Sequence, residues 1–268
     1  MTISRRSLLR TTPIALALIA VPGARNASAA GPRPGNDAGN AAGTVAGPAD
    51  GTAGDPNTVP FQGRPPLPVA VPTGIGPGWA AEIPAETSQL LLVVGNSPDG
   101  DRATASFWTR DASGWRTEGP LPARNGRLGW TPDHHEGDLR SPIGVFTLTD
   151  AGGLQPDPGT RLSYDRSDDF AVEGTGFAGE PLAGTFDQVI AIDYNRVPGT
   201  SPLDPTRPRG EDLGGGIWLH IDHGGPTHGC VTLPAEALPV LLRALDPAAH
   251  PIVVMGDVST LALGGPAS

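Results

Sequence analysis

Gly215-Gly216-Ile217-Trp218-Leu219-His220-Ile221-Asp222-His223-Gly224-Gly225-Pro226-Thr227-His228-Gly229-Cys230-Val231-Thr232-Leu233-Pro234 holds the only cysteine of the chain and three of its six histidines. Two apolar segments, 217–221 and 230–233, flank a Gly/Pro-rich link. That pattern predicts strand, loop, strand, with His220 ending the first strand and Cys230 opening the second. A thiol attacks as thiolate, and at an unperturbed pKa of about 8.5 little of it is ionised at neutral pH. A catalytic cysteine therefore needs a base or a positive charge beside it, and this stretch is rich in imidazole. Gly229 allows a tight turn ahead of Cys230, and its N–H is open to a developing oxyanion. The chemistry suggested is acyl transfer through a thioester.

Outward from this stretch the chain divides by composition. Ser4-Arg5-Arg6-Ser7-Leu8-Leu9-Arg10, an apolar run over 14–21 and Ala27-Ser28-Ala29 make residues 1–29 a twin-arginine-type export signal. The apolar run is shorter than a transmembrane helix needs. Residues 30–78 are dominated by Gly, Ala, Pro, Asn, Asp and Thr, as in Asn36-Asp37-Ala38-Gly39, and read as a disordered linker. Residues 79–258 are long enough for one cored domain, followed by a flexible tail, 259–268.

The net charge of −10 argues against nucleic acid or an anionic membrane surface as partner. A single cysteine leaves no internal disulfide, so the thiol is reactive, buried or a dimer link.

Short apolar runs recur between turn signals: 89–94, 104–109, 114–116, 143–148, 188–194 and 251–255. Only 235–245 has helical spacing, with Leu238, Leu241, Leu242 and Leu245 on one side and Pro239 marking a kink or a start. Many short strands and one helix predict a mainly-β sandwich or barrel.

Thr227-His228-Gly229-Cys230 resembles the [S/T]-H-G-C signature of the L,D-transpeptidases, the YkuD-type domains that crosslink bacterial peptidoglycan. Asp138-Leu139-Arg140-Ser141-Pro142-Ile143-Gly144-Val145-Phe146 resembles that family's T-P-x-G-x-F segment, where a turn set by Pro142 and close packing at Gly144 are expected. Two features depart from the pattern: the loop from His220 to Thr227 is only six residues long, and Thr232 stands where Asn or Arg is usual.

The resemblance implies a YkuD-like β-sandwich or barrel and an exported enzyme acting in the cell wall on peptidoglycan stem peptides. It implies Cys230 as nucleophile, His220 as base with its other ring nitrogen on a backbone carbonyl, and Gly229 and Cys230 N–H groups as oxyanion donors. His228 would shape or polarise the site, and no metal or organic cofactor is implied. An L,D-carboxypeptidase differs only in using water to resolve the thioester.

Other readings of the same residues are an inactive wall-binding module and a zinc site on His220, His223, His228 and Cys230. His134 and His135, between Asp133 and Glu136, are expected in a solvated loop, His223 in the catalytic loop, and His250 in a surface connector.

Overall fold

Leu90-Leu91-Leu92-Val93 is an unbroken apolar run, which suits a strand covered on both faces. The computed structural model, which describes residues 69–263 and residue 265, places it so. Strand β1 (Gln89–Gly95) sends Leu91 and Val93 into one hydrophobic cluster and Leu90 and Leu92 into another on the opposite face. Helix α1 (Pro77–Ala81) precedes it.

The strands that follow are β2 (Arg102–Asp111), β3 (Gly114–Arg124), β4 (Trp130–Thr131), β5 (Ser141–Pro142), β6 (Gly144–Thr147), β7 (Asp150–Gly153), β8 (Ser163–Arg166), β9 (Val189–Ala191), β10 (Trp218–Ile221) and β11 (Val231–Leu233). Helix α2 (Ala237–Ala244), strand β12 (Ile252–Asp257) and helix α3 (Val258–Ala262) complete the described fold.

Ten strands form one sheet in the order β6-β12-β1-β2-β3-β11-β10-β9-β7-β8, and β4 pairs with β5 in a separate two-stranded piece. The protein is mainly β, as the recurrence of short apolar runs predicts. The larger cluster takes side chains from both halves of the sheet: Leu91, Val253 and Met255 from one, Ile190, Leu219, Val231 and Leu233 from the other. The sheet therefore curls around a shared interior. Leu238, Leu241, Leu242 and Leu245 of the α2 segment fill that interior, each fully buried. At about 1.5–3 kcal/mol per buried leucine, these four side chains hold the curl closed. Pro239 is the third residue of α2 and produces no interruption, because N–H groups in a first turn have no intrahelical acceptor to lose.

The folded unit extends beyond 79–258 on both sides. Val69 and Trp115 exchange two backbone hydrogen bonds of 2.8 Å, and Gly76 N–H donates to the Leu261 carbonyl at 2.7 Å. Leu261 of α3 is fully buried in the second cluster with Trp79, whose Nε1 donates to the Thr260 carbonyl. The linker expected up to residue 78 thus ends earlier, and the tail expected from 259 begins as helix. The outer face of β1 and β12 needs a cover, and these two flanking segments supply it. The export signal lies outside the described residues. Among the described residues no helix is long and apolar enough to cross a membrane.

Candidate active site

Strands β10 and β11 run parallel side by side, with Leu219 opposite Val231, His220 opposite Thr232 and Ile221 opposite Leu233. Leu219, Val231, Ile221 and Leu233 face the larger cluster. Side chains alternate along a strand, so Trp218, His220 and Thr232 face the other way, and Cys230, two residues before Thr232, falls on that face too. The sole thiol and His220 are thereby brought to one face of adjacent strands.

The sulfur is held by backbone. Trp218 N–H donates to Cys230 Sγ at 3.4 Å, and the thiol donates to the Gly216 carbonyl at 3.5 Å. A sulfur that both accepts and donates is a protonated thiol. Burial pushes its pKa up to about 11, with the Trp218 N–H pulling weakly the other way.

His220 is 2% exposed, and its Nδ1 lies 3.0 Å from the Ile221 carbonyl. A carbonyl only accepts, so Nδ1 carries the proton and Nε2 keeps its lone pair. Burial lowers the imidazole pKa to about 4 despite that carbonyl. Phe186 meets His220 edge-on at 5.1 Å and Trp218 at 5.2 Å, and Phe170 packs on Trp218 at 5.7 Å. These aromatic contacts account for the dry surroundings of the imidazole.

The turn before Cys230 is tied from two sides. Thr227 Oγ1 donates to the Cys230 carbonyl at 2.6 Å and accepts from Gly229 N–H at 3.2 Å. Ser141 Oγ donates to the Gly229 carbonyl at 2.7 Å and accepts from Gly126 N–H at 2.9 Å. The hydroxyl of the Ser-Pro-x-Gly segment therefore anchors the turn before Cys230 directly, beyond the turn-forming part expected of Pro142.

The Gly229 N–H, expected to face an oxyanion, already donates to Thr227. The Cys230 N–H has no acceptor among the described residues and is the freer donor. Gly229 is also favoured for a different reason from the one expected. Its φ is not left-handed, but a β-carbon there would lie 3.0 Å from the Arg140 carbonyl and 3.1 Å from Ile217 Cδ1.

His228 is exposed and its ring lies 4.6 Å from that of Phe177. Burial lowers its pKa, with Glu136 opposing. His223 stacks on His220 at 5.7 Å and pairs through Nδ1 with Glu180 Oε1 at 3.0 Å. Loop 174–182 thus touches the 222–229 loop twice, through Phe177 on His228 and Glu180 on His223, and Arg127 lies over Phe177.

His134 is not solvated. It is 5% exposed, 3.0 Å from Asp138 Oδ1, edge-on to Tyr194, and its Cε1 would stand 3.5 Å from a β-carbon at Gly229. Burial lowers its pKa against the pull of Asp138. The one sequence signal for it was the His134–Asp138 spacing. His135 is exposed as expected, and exposed His250 sits in the left-handed region ahead of Pro251.

The four residues of the zinc-compatible set do not converge: among the described residues no cluster of three or more His, Cys, Asp or Glu is arranged to hold a metal. Thr232 is fully buried and its hydroxyl accepts the Arg124 N–H at 3.2 Å, so it is committed to the sheet.

Fold and site together give a mainly-β domain with His220 on β10 and Cys230 immediately ahead of the adjacent parallel strand β11. No family model matches the chain, and no curated protein matches it. Among solved structures the chain is similar to Bdellovibrio bacteriovorus Bd1075 at 16% identity and a TM-score of 0.36, over 65% of this chain and 49% of that one. The match spans about half the length of that protein, and a likeness this loose bears on neither fold nor activity.

Proposed function

We propose that this chain is an exported L,D-transpeptidase that crosslinks peptidoglycan stem peptides through a thioester on Cys230. The observation that carries the reading is the placement of the sole thiol and a buried imidazole with a free Nε2 on one face of β10 and β11. The thiol and the imidazole both rest uncharged, so sulfur attack and proton transfer occur together.

Sγ bonds to the carbonyl carbon of the L-centre residue, diaminopimelate by the resemblance, as its proton passes to His220 Nε2. The Cys230 N–H meets the oxyanion. The amide C–N bond then breaks, the imidazolium protonates the leaving amine, and the terminal D-residue departs. An amine from a neighbouring stem attacks the thioester, gives a proton to Nε2 and releases Cys230–SH. Water in place of that amine makes the same site an L,D-carboxypeptidase.

The test is intact mass of the full chain after incubation with a carbapenem, a class that acylates the family resembled. A single adduct mapped to the Cys230 peptide is expected. No adduct on protein whose thiol still alkylates would overturn the reading.

A further inference from the structure

His220 leans on a second imidazole. His223 stacks on it with ring centres 5.7 Å apart and planes within 8° of parallel. Phe186 meets the His220 ring edge-on, and the Ile221 carbonyl takes its Nδ1 proton at 3.0 Å. Of these contacts only the one with His223 leads to a charged group, because His223 Nδ1 lies 3.0 Å from Glu180 Oε1. A carboxylate only accepts, so that nitrogen carries a proton. Glu180, His223 and His220 thus form one chain of contacts, and the thiol chemistry has so far used only its last member.

Glu180 is firmly placed. Its Oε2 accepts the Ala178 N–H at 2.7 Å, and its own carbonyl accepts the Gly176 N–H at 2.8 Å, which closes loop 174–182. The side chains of Glu180 and His223 are 11% and 7% exposed. Gly225, two residues after His223, is buried and leaves room for the carboxylate: a β-carbon there would fall 1.7 Å from Oε1. Burial works against the Glu180 charge, but backbone N–H groups and His223 outweigh it and lower the pKa. Among the described residues no arginine pairs with this carboxylate. Asp222, the other acid that acts on His220, is paired with Arg124 at 3.1 Å. Glu180 is therefore the unbalanced negative charge nearest the base along this chain of contacts.

That charge matters when the thiol proton moves. Sγ gives its proton to His220 Nε2, and the ring becomes a cation in dry surroundings with only a neutral carbonyl on Nδ1. A positive charge on His223 opposes this. The Glu180 carboxylate offsets such a charge, and beside a neutral His223 it contributes a net negative one. In both states it favours the proton on His220.

We infer that Glu180, acting through His223, positions the His220 ring and balances the charge that ring takes up during sulfur attack. No proton leaves His223 in this role. The kinetic consequence rests on the thioester reading.

The tests use the full chain with Glu180→Gln, His220→Gln and the two combined. Glu180→Gln keeps an oxygen for His223 and removes the charge. Carbapenem acylation of Cys230, read by intact mass, should slow by about 3–10-fold in Glu180→Gln, less than for a charge in direct contact because His223 intervenes. Glu180→Asp, which keeps the charge, should stay closer to wild type; the reverse order would assign the effect to packing. In the His220→Gln background, Glu180→Gln should have no further effect, since the ring it acts on is gone. Equal slowing in both backgrounds would make Glu180 a support of the fold, and wild-type acylation in Glu180→Gln would also overturn the proposal. A second measurement needs no acylation. With nitrogen-15 at histidine, the ring nitrogen shifts of His220 at pH 7 should move on Glu180→Gln. Unmoved shifts overturn the coupling. Moved shifts in a protein that takes up no carbapenem would keep the Glu180–His223–His220 chain and remove the transpeptidase reading.

Discussion

Burial acts on Cys230 and His220 in the direction that removes charge from both, and the reactivity of each follows. The sequence stretch led to the expectation of a thiol activated by lowering its pKa. The structure instead surrounds it so that the neutral form is favoured, to about 11. Iodoacetamide alkylation of Cys230 against pH should therefore stay slow through neutrality and rise with an inflection well above that of a free thiol. An inflection below pH 8 would show a resting thiolate instead. Cys230→Ala should abolish carbapenem acylation while leaving the circular dichroism spectrum unchanged; persistent acylation would place the nucleophile elsewhere. His220→Gln should cut acylation by about 10²–10⁴-fold, the usual contribution of a positioned base. It should barely move the alkylation inflection, because the thiol is already neutral. A His228→Ala variant that falls as far would reverse the assignment of the base.

At the scale of elements, the turn before Cys230 is held by contacts far apart in sequence. Ser141 Oγ bridges Gly126 and Gly229. Ser141→Ala leaves two backbone groups without that partner, and a loss of about 1–3 kcal/mol in urea unfolding is expected, with slower acylation. Ser141→Thr should keep most of both, since the hydroxyl is retained; equal losses in the two variants would assign the effect to packing. A second element-level consequence concerns the flanks. A chain begun at Trp79 loses the Val69–Trp115 pair and the Gly76–Leu261 bond, and its melting midpoint should fall by several degrees below that of the full chain. Identical midpoints would mean these contacts add nothing to the fold.

Over the whole molecule, buried imidazoles make stability depend on acid. His220 has a folded pKa of about 4 against 6.5 when free. Between those values the unfolded chain binds a proton that the folded chain refuses. Stability is complete above about pH 6.5 and declines as pH falls, by about 3 kcal/mol at pH 4 from this residue alone. His134 is shifted in the same direction by burial and adds to the slope. Urea unfolding at pH 7, 5.5 and 4.5 should show the decline, and His220→Gln should remove about one proton's share of it. An unaltered slope in that variant would mean that His220 titrates freely in the folded protein.

The mainly-β class, the strands at 89–94, 217–221 and 230–233 and the leucine face of α2 were legible in the sequence. Each rests on periodicity or on neighbours a few residues apart, which a chain displays before it folds. The use of Ser141, the buried His134 beside Gly229 and the Glu180–His223 and Phe177–His228 contacts were decided only by tertiary structure. They join residues separated by loops and strands. The same is true of the pKa directions, because desolvation depends on what covers a group, and the cover on His220 comes from Phe186, more than thirty residues away. Local pattern determined the strand that carries His220 and the strand that follows the turn at Cys230, and long-range packing determined the charge and the company of those two side chains.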